Sequence, residues 1–387
     1  MVRFEDLGID GRLSEVLKGQ GLDVPFPIQA ATIPDALSGR DVCGKAKTGS
    51  GKTLAFSLPV VQRTLSSHPG TPRALVLVPT RELASQVLEV VEPFAAAAGR
   101  KAIAVYGGTP LEKQIKTLAD GVDVVVATPG RLIDLLERGA VDLGAIEICV
   151  LDEADRMADM GFLPQVEWVL RRLPDSRQLL LFSATLDSEV NALVRHYLKD
   201  PVVHAVDEQQ VTVEEMHHAF LAVHEMDRVK VVASISKGVE RVIVFCRTKR
   251  GADRLVSELK KEGVRAEAMH GDLRQQARER SLRNFVAGKA VLVATDVAAR
   301  GIHVDDVDVV IQFDPAEDHK TYLHRAGRTA RAGSTGVVVT FVLWNQENEV
   351  ERLKRRLQLD VPTIEVFSNN PGLLDIRTMS AATAKAS

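Results

Sequence analysis

The sequence has few aromatic residues and few cysteines, and it lacks a long apolar run. Its 387 residues include 2 Trp, 3 Tyr and 12 Phe, too few for the long base-stacking surface of a single-strand-binding protein. The three cysteines, Cys43, Cys149 and Cys246, lie in separate apolar segments without paired metal-site spacing, so we expect reduced core residues. Without a signal peptide or a membrane-spanning run, the sequence predicts a cytoplasmic protein, free or associated with the nucleoid, with no membrane partner.

An excess of positive charge is also missing. The formal net charge of −3 argues against binding nucleic acid through bulk positive charge, so any such binding must depend on local groups. Hydrophobic residues make up 45% and charged residues 26%, which is typical of globular proteins with buried cores. A chain of this length predicts two domains.

Short runs of Val, Ile and Leu alternate with longer amphipathic stretches, and this pattern occurs twice along the chain. The alternation is typical of parallel sheets covered by helices on both faces, so the predicted fold class is α/β with two such sheets. A polar stretch between the two series predicts a linker. We predict an N-terminal domain at 1–206, a linker at 207–215, a C-terminal domain at 216–367 and a mobile tail at 368–387.

A glycine-rich segment follows the apolar strand near Val42 and precedes a helical pattern. Its glycines let backbone amides turn toward phosphates at a helix start, and Lys52 can reach the β and γ phosphates of a nucleotide. Thr53 can be a ligand of Mg²⁺. A plain glycine-rich turn is the alternative, because Ala46 replaces the usual first glycine. The predicted phosphate loop consists of Ala46, Lys47, Thr48, Gly49, Ser50, Gly51, Lys52 and Thr53.

Two acidic residues follow the apolar segment at 148–151. Parallel sheets bind ligands beyond the carboxyl ends of their strands, which is where Asp152 and Glu153 are expected. Asp152 can hold the magnesium ion, and Glu153 is placed to deprotonate an attacking water. The alternative is that both acids only cap a helix that begins near Asp155.

With Asp152, Glu153, Ala154 and Asp155 in this order, residues 4 to 345 resemble the DEAD-box RNA helicases of helicase superfamily 2. The resemblance implies two tandem RecA-like domains that bind ATP, Mg²⁺ and RNA. It implies that Gln29 reads the adenine edge, for which an amide offers both a donor and an acceptor. Phe4 would give the ring an apolar face, although it could equally be a hydrophobic anchor.

Other roles are implied by the resemblance alone. Ser183 and Thr185 match a motif that couples the acidic segment to domain closure, although a helix N-cap is an alternative reading. Arg328 and Arg331 would act as arginine fingers on the γ-phosphate. Gly301 and His303 would lie at the nucleotide, with His303 in place of the aspartate that is usual in the family. The coupling residues are Asp155, Ser183, Thr185, His324 and Arg325.

Several predicted strands end in Thr or Pro and are followed by a basic residue at a helix start, which suits phosphate. An ordinary helix cap is the alternative at each position, and the resemblance selects RNA over DNA. The predicted RNA-binding residues are Pro79, Thr80, Arg81, Gly108, Thr128, Pro129, Gly130, Arg131, Arg247, Thr248, Gln275, Arg278, Thr295 and Asp296.

The resulting hypothesis is an ATP-dependent RNA helicase that hydrolyses ATP when RNA is bound and unpairs short duplexes without reading their sequence. A DNA translocase would share the phosphate loop and the acidic motif. A non-catalytic RNA clamp would bind without turnover, but Lys52, Glu153 and Arg331 argue against it.

Overall fold

The computed structural model describes residues 2–46, 49–206, 216–299, 307–329, 336–377 and 379. The chain divides into two compact units, Met1–Glu208 and Gln209–Ser387. The predicted linker at 207–215 lies outside the described residues, so the predicted domain bounds stay a prediction.

The first unit contains a seven-stranded sheet flanked by helices. Its strands are β1 (Val42–Lys45), β2 (Ala74–Leu77), β3 (Ala102–Val105), β4 (Val124–Ala127), β5 (Ile148–Asp152), β6 (Gln178–Ser183) and β7 (Val202–Ala205). Its helices are α1 (Gly11–Gly19), α2 (Pro27–Leu37), α3 (Lys52–Arg63), α4 (Arg81–Ala97), α5 (Leu111–Ala119), α6 (Pro129–Glu137), α7 (Ala154–Asp159), α8 (Leu163–Leu170) and α9 (Ser188–Tyr197). A 3-10 helix at Glu5–Leu7 precedes them.

The second unit contains another seven-stranded sheet. Its strands are β8 (His217–Ala222), β9 (Val242–Phe245), β10 (Ala266–Met269), β11 (Val291–Ala294), β12 (Val309–Gln312), β13 (Val337–Val342) and β14 (Thr363–Glu365). Its helices are α10 (Arg228–Lys237), α11 (Lys249–Lys261), α12 (Gln275–Val286), α13 (Asp296–Ala299), α14 (His319–Ala326) and α15 (Glu347–Leu357). Two 3-10 helices, Glu225–Asp227 and Pro371–Asp375, complete the unit.

Both sheets have the same strand order. It is β3-β4-β2-β5-β6-β1-β7 in the first unit and β10-β11-β9-β12-β13-β8-β14 in the second, so each strand corresponds to the one seven places later. Every pairing between these strands is parallel, for example with Val42 opposite Leu180 in one sheet and Val309 opposite Val337 in the other. The order therefore fixes which strand ends are neighbours in each unit.

Each sheet is buried on both faces. Successive residues of one strand belong to different hydrophobic cores. Val150 of β5 lies in one cluster and Leu151 in the other. The second sheet likewise separates two clusters. Strands covered on both sides must be apolar at successive positions, which explains the uninterrupted Val, Ile and Leu runs. The predicted α/β fold with two parallel sheets is confirmed.

Residues 368–377 of the predicted mobile tail pack against the second unit. The Ser368 amide and hydroxyl both donate to the Asp227 carboxylate, at 2.6 and 2.8 Å. Leu373 and Ile376 are buried in a core of the second unit. A side chain added at Gly238 would lie 1.9 Å from the Leu374 carbonyl oxygen, which shows how closely the segment packs on α10. The rest of the predicted tail lies outside the described residues, except for Met379.

All three cysteines are free and buried, in line with the core role expected for them. Burial raises the pKa of Cys43 to about 11 and that of Cys149 to about 12. Burial also raises the pKa of Cys246. Within the described residues, no helix is both long and apolar enough to cross a bilayer.

Candidate functional site

Strand order separates the candidate residues of the first unit into two groups at one edge of its sheet. The strands β5, β6 and β1 are neighbours, and the acidic residues, Ser183 and the phosphate loop follow them. The strand β2 lies beside β5 and is followed by Thr80, and β4 lies beside β2 and is followed by Thr128. Because parallel strands end at the same edge, the two groups lie side by side.

In the predicted phosphate loop, a lysine side chain is hydrogen-bonded to the backbone of the loop itself. Gly49 and Gly51 both have φ of +85°, a left-handed conformation that favours glycine. The Lys52 ammonium, in the first residue of α3, donates to the Ala46 carbonyl at 2.7 Å and is buried. A bound phosphate would replace this carbonyl as the partner of Lys52. Thr53 follows as the second residue of α3, and Lys47 and Thr48 lie outside the described residues.

The structure ties Gln29 to the phosphate loop. Its side-chain oxygen accepts from the Phe26 amide at 2.8 Å, and its side-chain nitrogen donates to the Gly51 carbonyl at 2.9 Å. An amide has two N–H donors and two acceptor positions, so one of each is left for a ligand. A Cβ at Gly51 would lie 2.3 Å from the Gln29 nitrogen, so this contact requires glycine.

Phe4 lies in a core of the first unit. It is 4% exposed and clusters with Ile9 and Leu13. Its carbonyl accepts from the amides of Leu7 and Ile9 at the 3-10 helix. This burial favours the hydrophobic-anchor alternative over a face open to adenine.

The acidic strand end has a strained backbone. Asp152 ends β5, and its Oδ1 accepts from the Glu153 amide at 2.9 Å. Glu153 has φ of +53° in the left-handed region, which is uncommon for a residue with a side chain and is often found at functional sites. Its carboxylate, 4% exposed as a residue, pairs with the Arg156 guanidinium one turn further along α7. The pair holds the Glu153 side chain in place beside α7.

The predicted coupling residues of the first unit form one hydrogen-bonded network. The Ser183 hydroxyl accepts from the Asp155 amide at 3.2 Å and donates to the Thr185 carbonyl at 2.7 Å. The Thr185 amide and hydroxyl both donate to Asp155 Oδ2, at 3.0 and 3.2 Å. The Ser183 carbonyl in turn accepts from the Ala46 amide at 3.0 Å. The network therefore links the end of β6 to α7 and to the phosphate loop.

Two of the candidate RNA-binding residues in the first unit fit together sterically. Arg81 begins α4 after Thr80, whose hydroxyl caps the helix by accepting from the Leu83 amide at 3.3 Å. Gly108 has φ of +86°, and a Cβ there would lie 2.2 Å from the Arg81 guanidinium. Gly108 thus leaves room for Arg81 at the sheet edge, with Pro79 immediately before the cap.

The start of α6 has open space at Gly130, whereas the Arg131 side chain is already hydrogen-bonded. Thr128 is the N-cap residue and Pro129 the first helical residue, and Gly130 has open space where a side chain would be. The Arg131 guanidinium donates to the Gln114 side chain at 3.0 Å, and its side chain is only 12% exposed. RNA would therefore meet the α6 backbone more readily than the Arg131 side chain.

The corresponding strand ends of the second unit carry the remaining candidates. The Thr248 hydroxyl caps α11 by accepting from the Gly251 amide at 3.0 Å, as Thr80 does on α4. Arg247 is half exposed, with Glu317 at 3.6 Å. Gln275 begins α12, and like Arg278 and Thr295 it is buried. The neighbours β9 and β11 correspond to β2 and β4, so the capped helix starts recur at equivalent places.

Asp296 is engaged with Arg325. Its two carboxylate oxygens accept from the Arg325 guanidinium at 2.6 and 2.8 Å. The same guanidinium donates to the Gln312 side chain at 3.1 Å and to the Asp314 carbonyl at 2.7 Å. The buried Arg325 guanidinium therefore binds several partners. The Asp296 carboxylate is one of them, so it is not free to bind a ligand. His324 is exposed, Arg328 is partly buried, and Gly301, His303 and Arg331 lie outside the described residues.

Comparison with known proteins identifies the family. Residues 26–193 match the DEAD/DEAH box helicase family, and residues 226–333 match the Helicase conserved C-terminal domain family. The chain is 39% identical over 358 residues to the DEAD-box ATP-dependent RNA helicase CshA of Geobacillus kaustophilus, covering 92% of this chain and 76% of that protein. The chain belongs to the DEAD-box ATP-dependent RNA helicases.

Other relatives of this DEAD-box helicase come from eukaryotes. It is 40% identical over 384 residues to the mitochondrial DEAD-box ATP-dependent RNA helicase 9 of Arabidopsis thaliana, covering 96% of this chain and 62% of that protein. Its structure is similar to S. cerevisiae Dbp5 bound to RNA and ADP BeF3, with a TM-score of 0.82 and 30% identity over 99% of this chain and 100% of the other. The predicted family and RecA-like fold are confirmed.

Sequence reasoning missed several residues at the site of this DEAD-box helicase. Arg156 could have been found from its spacing to Glu153, since residues three apart on a helix are neighbours. Phe26, Gln312 and Asp314 carry no such signal. Their contacts join segments that the sequence separates, as with Asp314 and the Arg228 guanidinium at 2.9 Å.

Proposed function

We propose that this DEAD-box helicase couples RNA-stimulated ATP hydrolysis to local, sequence-nonspecific unpairing of RNA or remodelling of ribonucleoproteins. The observation that carries the proposal is the network of Asp155, Ser183 and Thr185, which joins the acidic strand end to the phosphate loop. A change at the γ-phosphate can reach α7 through these hydrogen bonds.

In the proposed reaction, Lys52 gives the phosphates a counter-charge, and Glu153 takes a proton from the attacking water. Arg328 and Arg331 stabilise the charge that develops on the γ-phosphate. The pairing of Glu153 with Arg156 supports this role, because it holds the carboxylate in a fixed position at the end of β5.

A magnesium ion fits the oxygen donors at this site. Mg²⁺ is held by few protein ligands together with phosphate oxygens, and both Thr53 and Asp152 offer hard oxygen atoms. These two residues would hold the ion, which would neutralise charge on the nucleotide. The Asp152 carboxylate is fixed by the Glu153 amide, so its orientation is set before the ion binds.

RNA would lie along the capped helix starts of each unit, at Thr80 and Arg81 and at Arg247 and Thr248. Backbone amides and basic side chains at these places suit phosphate groups. Such contacts carry no base information, so the proposed binding is independent of sequence. The domain closure and cytoplasmic location expected from the sequence stay predictions.

The decisive experiment measures ATP hydrolysis by the full chain alone, with several unrelated RNAs, and with single-stranded DNA of the same sequences. We expect strong stimulation by every RNA and little by DNA. The Lys52→Ala variant is the control for contaminating ATPases. Equal stimulation by DNA would favour a DNA translocase, and RNA binding without turnover would favour a clamp; either result would overturn the proposal.

A further inference from the structure

Phe26 lies beside the Gln29 side chain and the phosphate loop. Its backbone amide donates to the Gln29 side chain at 2.8 Å, and that side chain also holds the Gly51 carbonyl. A Cβ added at Gly51 would lie 2.6 Å from Cδ2 of the Phe26 ring. The ring, the Gln29 amide and the loop backbone therefore form one cluster at the start of α3.

The Phe26 ring is half exposed, at 51%. A single exposed apolar side chain needs no explanation by itself. Phe26 differs from the others by its position, because its ring contacts the loop predicted to hold the phosphates and adjoins the amide predicted to read adenine. Phe4, the aromatic residue that the sequence favours for this role, is 4% exposed and packed in the core.

We propose that Phe26 is the aromatic surface on which the adenine ring of ATP stacks. The inference rests on the proposed function, since it requires ATP as the ligand. Aromatic rings stack on any base, because every base has a π face. Hydrogen bonds from an amide distinguish one base edge from another. Phe26 thus supplies affinity for the base, and Gln29 supplies the preference for adenine.

A purely structural role for Phe26 makes a different prediction. If the ring only packs against Gly51, truncating it loosens the phosphate loop and weakens every ligand that binds through phosphates. If the ring stacks on the base, a ligand with phosphates but no base is unaffected. Inorganic tripolyphosphate is such a ligand, so comparing it with ATP separates the two roles.

The experiment measures the dissociation constants of ATP and tripolyphosphate, each with Mg²⁺, for the full chain and three variants. For Phe26→Ala we expect ATP binding about 3- to 10-fold weaker, the range of one aromatic pair. We expect tripolyphosphate binding to stay within about twofold of the parent. Phe26→Trp should retain ATP affinity. The control is Phe367→Ala, since Phe367 is 58% exposed in the second unit.

Two further readouts test the contact itself. Relative to the parent, which contains Trp168 and Trp344, the Phe26→Trp variant should show added fluorescence quenching by ATP and none by tripolyphosphate. The ratio of ATP to GTP affinity should be unchanged by Phe26→Ala and reduced by Gln29→Ala.

Unchanged ATP affinity in Phe26→Ala would overturn the inference, and so would an equal loss of tripolyphosphate binding. A loss of ATP affinity in Phe4→Leu but not in Phe26→Ala would overturn it in favour of Phe4. If the parent chain binds no ATP, the proposed function fails as well. Normal ATP binding by the parent with no effect at Phe26 refutes this inference alone.

Discussion

Replacing Asp296 by alanine should destabilise the second unit strongly. The change removes both acceptors that face Arg325, whose side chain is 3% exposed against 25% for Asp296. Leaving one partner of a buried ion pair uncompensated typically costs about 3–5 kcal/mol. Arg325 keeps Gln312 and the Asp314 carbonyl as partners, and Asp296 is partly exposed, so we expect about 2–4 kcal/mol.

Hydrogen exchange of backbone amides measures this loss of folding stability in each unit separately. Amides of β13 should lose about 30- to 700-fold of their protection in Asp296→Ala, which is the expected free energy converted at about 1.4 kcal/mol per tenfold. Amides of β6 in the first unit should not change. Asp296→Asn, which keeps one oxygen acceptor but loses the charge, should give an intermediate loss.

A matched control is Asp272→Ala. Asp272 also pairs at 2.6 Å, with Lys249, but the side chains are 68% and 52% exposed, so we expect no measurable loss of protection. If Asp296→Ala lowers β13 protection no more than Asp272→Ala does, the buried pair does not stabilise the unit. Asp296 would then be available to serve RNA, as the sequence suggested.

Glu153→Gln should keep ATP and RNA binding but abolish turnover, because an amide cannot accept the proton; near-normal ATP hydrolysis would remove Glu153 from the role of base. Thr185→Val removes one of two hydrogen bonds to Asp155 and should lower duplex unwinding per ATP hydrolysed, with Thr185→Ser as the control that restores it. His303→Asp should tighten ATP binding in the presence of RNA by at most roughly tenfold, the worth of one net hydrogen bond, and unchanged or weaker binding would contradict a weakened ribose contact at His303.

The sequence could bring forward the candidate residues of the nucleotide site because each motif is local in sequence, while the roles of these residues stay predictions. Asp152 and Glu153 directly follow an apolar run, and Lys52 and Thr53 follow closely spaced glycines, so each role depends on residues adjacent in sequence. The parallel sheets were predictable for the same reason, since burial on both faces requires apolar runs.

The unpredicted features depend on contacts between distant segments. Leu373 and Ile376 are apolar residues in a polar, small-residue stretch, and they become core residues through contacts with distant segments of the second unit, α10 among them. Asp296 and Arg325 are 29 positions apart, so the sequence shows two charged residues and not the pair they form. The choice between Phe4 and Phe26 depends on which ring is buried, and this is decided by packing against α1 and α2.

The shared strand order also bears on the ancestry of the chain. Two sheets with the same permutation of seven strands are what tandem duplication of one ancestral gene segment produces. The two copies differ in the segment that follows the corresponding strands β1 and β8. β1 is followed by the phosphate loop, whereas its counterpart β8 is followed by the short 3-10 helix Glu225–Asp227. The capped helix starts after β2 and β9 persist in both copies. In the described residues, the two copies therefore share the capped helix starts and differ in the segment that follows β1 and β8.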